Sequence, residues 1–546
     1  MRKIICALLS ILLLCPFIVA CNNGNGDGGE TAPNTGVDYT IESWMSHSTD
    51  KNLGNGEVPK DKKTELEIYM AKGESEGVQI SFLSDKKLEG VSVTASGDLD
   101  GIDTSYFSVE TVTVKGKRWP DPLVPTNGEF TVQKNVIKSV LVSFTTDKNT
   151  MPSKERSVTL TVKDAEGNLI GEYKVKITVW NIEYDETPAM DSFTLIYKDS
   201  IAKHHDVDDE EEINRLYKLY YDMLLDYKIS GGELPYDILD PRADAYMSDP
   251  RVTTFKVPHD VDDATLIAYY NKIKENPEWL EKACIYVTDE PDNMDKIRVF
   301  EQRVARLREL CPDIQLFVTF YNDFMYDENR DIVQYLMDNV DILATSFACF
   351  HDGFLYKSSS VKDKFPTLKD RTDAYKASGK KVWSYVGWDP GPDQKYTNLF
   401  VDENGVDHRV LYWQKYDYGS QGFLYWAANY WEQVGNPWYN MATFTMKIGD
   451  VTTTVYGDGS LMYNGNAVGV DGACPSLRLY LVRDGLDDYE LLTMAEKILG
   501  KEATDKIVDK VTRGILTHTG SSDVLLRARK ELGNAIEAAL EAAKAN

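Results

Sequence analysis

Two adjacent carboxylates, Asp289 and Glu290, are the sharpest chemical feature of the chain. They follow the apolar approach Val287-Thr288 and precede Pro291, which ends a strand and turns the backbone. Like charges side by side raise each other's proton affinity, so one acid can stay protonated near neutrality and donate a proton. The same pair would also serve as the acidic start of a helix beginning near Asn293. Residue types alone leave both roles open.

Further polar and aromatic side chains fall at the ends of apolar runs: Lys198-Asp199, Glu233, His259, Tyr321-Asn322-Asp323, His351-Asp352, Trp388-Asp389 and Asn429-Trp431. A G-x-S-x-G elbow, a phosphate-binding loop, a dinucleotide fingerprint and an H-E-x-x-H helix are all missing, which argues against esterase, kinase, dehydrogenase and zincin chemistry. His204-His205 beside Asp206 and Asp208 reads as a helix end and a solvated charge run, and neither a metal nor a cofactor is called for. Arg409, Arg478 and Arg483 read as scaffold ion pairs. The formal net charge of −27 repels phosphate backbones, so nucleic acid is excluded as a partner. The 10 Trp, 32 Tyr and 18 Phe are more telling, because aromatic faces stack on sugars as well as filling cores.

The elements that must position these residues change character near residue 187. From Tyr39 to Ile182, period-two runs such as Val158–Val162 and Tyr173–Val179 predict an antiparallel β-sandwich, taken as 39–187. Strands and helices then take turns. Strands are expected at 193–197, 229–234, 252–257, 283–288, 316–320, 340–347, 382–386 and 423–426. Eight alternating units predict a (β/α)8 TIM-type barrel over 188–500, with reactive side chains at the C-terminal strand ends. Residues 451–464 read as a hairpin turning at Gly457-Asp458-Gly459, and 501–546 as C-terminal helices.

At the N-terminus, Arg2-Lys3 precede the apolar run Ile4–Ala20, too short for a confident span. It closes as Ile18-Val19-Ala20-Cys21, which looks like a bacterial lipobox. Residues 1–20 are therefore expected to be a lipoprotein signal peptide, Cys21 the lipidated residue and 21–38 a flexible tether. The protein would be exported and membrane-anchored through that lipid, at the cell surface or in the periplasm. Cys284, Cys311, Cys349 and Cys474 lack metal-like spacing and read as core thiols.

The segment Tyr286-Val287-Thr288-Asp289-Glu290-Pro291 resembles the catalytic strand of glycoside hydrolase family 123 and its relatives. So does the stretch from Val382-Trp383-Ser384-Tyr385 through Asn398–Asp402. The most specific likeness is Arg409–Gln414, leading to Gly422–Trp426 and Asn429-Tyr430-Trp431, then Gly457-Asp458-Gly459, Pro475–Arg478 and Arg483–Tyr489. Trp119–Leu123 and Gly73–Gly77 are similar to the family's amino-terminal sandwich. The resemblance implies a β-N-acetylgalactosaminidase using retaining, substrate-assisted catalysis, in which the sugar's own acetamido oxygen forms an oxazolinium ion. Glu290 would be the general acid–base, and Asp289 would hold the acetamido N–H. Tyr321 and Asn322 would contact the acetamido group, Trp388, Trp426 and Trp431 would wall the sugar, and Asn429 would bond a ring hydroxyl. The substrate would be a glycan or glycolipid. Two alternatives stay open: a glycosidase of the same fold acting on another sugar, and a surface glycan-binding lipoprotein without turnover.

Overall fold

The computed structural model describes residues 37–351, 356, 357, 359–391, 395–448 and 451–545. The signal peptide, Cys21, nearly all of the tether and Asp352 lie outside the described residues.

Period-two alternation shapes the first half. Its strands are β1 (Ile41–His47), β2 (Glu65–Lys72), β3 (Ser75–Ser84), β4 (Leu88–Gly97), β5 (Ile102–Val114), β6 (Lys117–Thr126), β7 (Glu129–Val132), β8 (Lys138–Thr146), β9 (Ser153–Lys163) and β10 (Leu169–Glu183). They form two five-stranded sheets, ordered β1-β3-β8-β5-β6 and β2-β10-β9-β4-β7. Pairing is antiparallel except between β10 and β2. Val78, Ile80, Phe82, Val140 and Val142 from one sheet share a core with Val158, Leu160, Val175 and Ile177 from the other. In the second sheet the residues between them, such as Thr159 and Lys176, face outward, whereas in the first sheet Gln79, Ser81 and Leu141 are buried as well, so that sheet is covered on both faces.

The second half is a parallel sheet of β11 (Asp191–Thr194), β12 (Phe255–Lys256), β13 (Ala283–Tyr286), β14 (Gln315–Phe320), β15 (Ile342–Ser346), β16 (Lys381–Tyr385) and β17 (Gly422–Tyr425). Its order is β11-β17-β16-β15-β14-β13-β12, and helices such as Glu210–Asp226, Met294–Leu310 and Gly405–Asp417 intervene along the chain. Seven strands therefore stand where eight were expected. The expected strand at 229–234 is reduced to a link across the seam: Gly231 bridges Thr194, and the Lys256 N–H donates to the Gly232 carbonyl at 2.7 Å. The cause is local. A Cβ on Gly232 would meet Phe193 Cζ at 2.8 Å, so only glycine brings this backbone so close, and glycine weakens strand extension. The sheet is thus nearly closed.

Its interior is filled. Phe193, Cys284, Phe317, Ile342, Ala344, Trp383 and Leu424 are buried there, with Tyr286 and Tyr385 packed on them toward the C-terminal strand ends. Tyr286 stacks on Phe317 at 4.4 Å between centroids. This aromatic layer fills the inside of the barrel-like sheet and carries two phenols toward its C-terminal end.

Three further features bear on the expectations. The hairpin lies earlier than 451–464: Ala442–Ile448 pairs with Val451–Tyr456, and Gly457-Asp458-Gly459 follows the second strand rather than turning it. The C-terminal region carries the helices Leu477–Leu499, Lys501–Val508 and Ser522–Ala545. Cys284, Cys311, Cys349 and Cys474 are buried free thiols. Among the described residues, no helix is long and apolar enough to cross a membrane.

Candidate active site

Met294–Leu310 is capped by Asn293, whose side-chain oxygen accepts from the N–H groups of Asp295 (3.0 Å) and Lys296 (3.1 Å). Asp289 and Glu290 are therefore not the cap, and the helix-start role that residue types left open falls away. Consecutive strand residues point to opposite faces, so a continued strand would separate the two acids. Instead Glu290 takes a left-handed φ of +38°, a conformation costing on the order of 1–3 kcal/mol for a residue with a side chain. The surroundings hold it there. The Glu290 N–H donates to Thr319 Oγ1 at 2.9 Å, and Lys296 Nζ donates to the Glu290 carbonyl at 3.0 Å.

Each carboxylate has its own phenol. Tyr286 donates to Asp289 Oδ1 at 2.5 Å, and Tyr385 donates to Glu290 Oε1. Thr319 Oγ1 lies 2.8 Å from the Tyr286 hydroxyl and 3.2 Å from Asp289 Oδ1. Burial pushes the Glu290 carboxyl above the ordinary glutamate range; the Tyr385 hydrogen bond opposes this, while Asp289 and Asp389 reinforce it. A carboxyl of that kind holds a proton longer as pH rises, as a general acid must.

The expected binding residues divide. Tyr321 is exposed at the mouth, with its hydroxyl 3.3 Å from Asp292 Oδ2. Burial, Asp292, Glu290 and Asp389 all raise its phenol, which marks these acids as its neighbours. Asn322 is exposed beside it and accepts the Asp323 N–H. Trp388 is half-buried, and its indole N–H has no hydrogen-bond partner among the described residues. Trp426 is half-buried, donates to Asp458 Oδ1 at 3.0 Å and meets Tyr197 and Tyr430 edge-on or tilted.

Two assignments are corrected. Asn429 is fully buried and spends its amide on the backbone of Tyr197, accepting the N–H at 2.7 Å and donating to the carbonyl at 3.1 Å. It pins the chain just after β11, and its complete burial keeps it from a ring hydroxyl. Trp431 is 0% exposed, donates to Ser460 Oγ at 2.8 Å and packs against His204 and Tyr220. It is core. Past β17 the chain folds back beside the end of β11, where the Ala428 N–H donates to the Leu195 carbonyl at 2.9 Å, and this turns Asn429 and Trp431 inward.

Sequence reasoning passed over Tyr286, Thr319, Tyr385 and Tyr197. The signal was available: they stand at the expected strand ends or within two residues of them. Asp389, read as loop, stands at the rim, where partial burial raises its carboxyl. Glu233 and Lys256 pair at 2.7 Å. Burial raises the Tyr197 phenol, and the charges of Asp289 and Glu233 add to it.

A mouth of carboxylates, phenols and indoles over a parallel barrel-like sheet suits carbohydrate chemistry, and residues 264–495 match the family described as glycoside hydrolase 123, catalytic domain. The chain is a glycoside hydrolase, and that segment is its family 123 catalytic domain. Among solved structures, a family 123 glycoside hydrolase from Clostridium perfringens shares the fold at a TM-score of 0.62 and 13% identity, over 92% of this chain and 98% of that one. Bifidobacterium dentium β-glucuronidase aligns at a TM-score of 0.29 and 11% identity, over 82% of this chain and 67% of that one. No curated protein matches the sequence.

Proposed function

We propose that the chain is an exported β-N-acetylgalactosaminidase that releases its sugar with retention, by substrate assistance through an oxazolinium intermediate. The observation that carries this reading is the adjacency of Asp289 and Glu290, each on its own phenol. An ordinary retaining pair spans the ring with carboxyl groups ~5–5.5 Å apart; substrate assistance needs both acids on one side. In the first step protonated Glu290 gives its proton to the glycosidic oxygen as that C–O bond breaks. The acetamido oxygen forms the new bond to the anomeric carbon, and Asp289 accepts the acetamido N–H, steadying the positive charge. In the second step Glu290 takes a proton from water, whose oxygen opens the oxazolinium ion on the original face. Tyr321 and Asn322 orient the acetamido group, and Trp388 and Trp426 face the ring.

The solved C. perfringens enzyme concerns glycolipid glycan hydrolysis, and a glycolipid or glycan is proposed as substrate here. The nearly closed sheet is read as a (β/α)8 barrel whose second strand has shrunk to the Gly231 link. The lipobox-like Ile18–Cys21 makes this a lipoprotein anchored through Cys21, displayed at the cell surface or in the periplasm. Cys21→Ala is expected to abolish lipid attachment, read as loss of incorporated labelled fatty acid.

A second reading has an observation of its own. Asp389 stands at the rim and raises Glu290's proton affinity, as a partner carboxylate of an ordinary retaining site would. The test measures turnover of para-nitrophenyl β-GalNAc, β-GlcNAc and β-galactoside by wild type, Asp289→Asn, Asp389→Asn and Glu290→Gln. Turnover confined to N-acetyl sugars, lost in Asp289→Asn, supports substrate assistance. Turnover of the galactoside, lost in Asp389→Asn, sinks it. Glu290→Gln is expected to lose about 10²–10⁴ in either case.

A further inference from the structure

The two acids do not stand alone; hydroxyls from three strands of the sheet, β13, β14 and β16, lie behind them. Tyr286 on β13 reaches Asp289, Tyr385 on β16 reaches Glu290, and Thr319 on β14 touches Asp289, Tyr286 and the Glu290 backbone. We propose that Tyr385, Tyr286 and Thr319 are positioning residues that give the adjacent carboxylates separate tasks. Tyr385 aligns and tunes Glu290, Tyr286 aligns Asp289, and Thr319 locks the backbone turn that brings both acids to one side. This deepens the proposed function and rests on its assignment of Asp289 and Glu290 as the reacting pair.

Proton bookkeeping supports the division. Each phenol has one proton. Tyr286 commits its own to Asp289 at 2.5 Å, and the single Thr319 proton is within reach of Asp289 Oδ1 at 3.2 Å and of the Tyr286 oxygen at 2.8 Å. Thr319 Oγ1 in turn accepts the Glu290 N–H at 2.9 Å. That leaves the Asp289 carboxylate with its second oxygen free of these hydroxyls, to face an acetamido N–H. Tyr385 touches only Glu290 among the two acids. Both phenols sit on the packed interior, Tyr286 stacked on Phe317 at 4.4 Å, so neither can swing away without opening the aromatic layer. Burial keeps both phenols well above their ordinary range, so they remain donors across the working pH. A donor that favours the charged carboxylate works against the burial of Glu290, keeping its proton exchangeable in both halves of the cycle.

Three conservative variants test this. Tyr385→Phe removes a donor to the charged form, so Glu290 should titrate higher than in wild type. The readout is a carbon-13 carboxyl titration of glutamate-labelled protein, with Glu290 assigned through Glu290→Gln, and it needs no substrate. The basic limb of kcat/KM on the aryl N-acetylglycoside should move up with it. Tyr286→Phe should lower kcat about tenfold to a hundredfold with little change in KM, as expected for a misplaced orienting group. Thr319→Val should lose activity, and Thr319→Ser, which keeps the hydroxyl, should restore most of it. Thermal melts of each variant confirm that folded protein is compared. An unmoved Glu290 titration in Tyr385→Phe, or a Thr319→Ser as damaged as Thr319→Val, overturns the proposal. If wild type cleaves none of the glycosides yet the Glu290 titration moves, the proposed substrate is wrong and the positioning of Glu290 stands.

Discussion

Trp426 and Trp431 show what a residue type at a strand end does and does not say. Both are tryptophans just beyond β17, five positions apart. Only Trp426 stays half-buried at the mouth; Trp431 is enclosed, with its indole N–H on Ser460. Trp426→Ala should therefore raise KM for the glycoside by about three- to tenfold, the worth of one aromatic contact. Trp431→Phe should leave KM where it is and cost about 1–3 kcal/mol of stability through the orphaned serine and the lost volume. Steady-state kinetics and denaturant titrations on the two variants separate the roles. The acids Asp289 and Glu290 were legible because charge after an apolar run is rare without a purpose. Tyr286 and Tyr385 were not, because an inward aromatic one repeat below a site looks the same as core filling. Asn429 was misread because its chemistry suits a sugar as well as it suits a backbone, and only the return of the chain onto β11 decides between them.

At the scale of elements, what could be read depended on whether one face was buried. Met294–Leu310 shows Ile297, Phe300, Val304 and Leu307 as a single buried stripe, which the sequence pattern anticipates. Leu477–Leu499 is buried nearly all round, polar residues included, so it has no stripe and was absorbed into the expected barrel. The segment Gly457-Asp458-Gly459 looked like a turn because its composition is that of one. Its use is different: it runs under Trp426, and a Cβ on Gly459 would lie 2.2 Å from Trp426 Cζ2 at a φ of +67°. Asp458 in the same segment receives the Trp426 indole N–H, and burial holds its carboxyl at about 6. Gly459→Ala should thus lower stability by about 1–3 kcal/mol and raise KM in the same variant, because the alanine can fit only by moving the tryptophan. A loss of stability with unchanged KM would show that Trp426 does not form part of the sugar site.

Across the whole molecule, the sandwich is bolted to the barrel and the last helix by buried charges rather than by apolar packing alone. Arg409 binds Asp488 at 2.7 Å and Glu76 at 2.5 Å, Arg529 binds Asp488 at 2.7 Å and also Glu74, and Arg478 holds Asp121 at 2.8 Å. Arginines at 409, 478 and 483 were readable as scaffold; their partners were not, since Glu74 and Asp488 are more than 400 residues apart and nothing local links them. The cluster holds more acids than it can pair. Burial pushes Glu74 up to about 8, with Arg529 opposing and Asp487 and Glu76 adding, and burial likewise lifts Asp484 to about 7. Both carboxyls therefore hold protons in the folded chain that they would release on unfolding. Groups raised in this way give their full stability below the unfolded carboxyl range near pH 4 and lose it as pH rises through 7 and 8. The melting temperature should accordingly fall as pH rises from about 4–5 to about 7–8 and level off above that, the reverse of what paired surface carboxylates would produce. Glu74→Gln keeps an acceptor for the Ala71 N–H and removes the titration, so its melting temperature should decline less than that of wild type between about pH 5 and pH 8. Scanning calorimetry of both proteins across that range decides the matter: parallel declines would mean that the bolt does not carry the pH dependence, and a flatter profile for Glu74→Gln would place it where the sandwich meets the final helix.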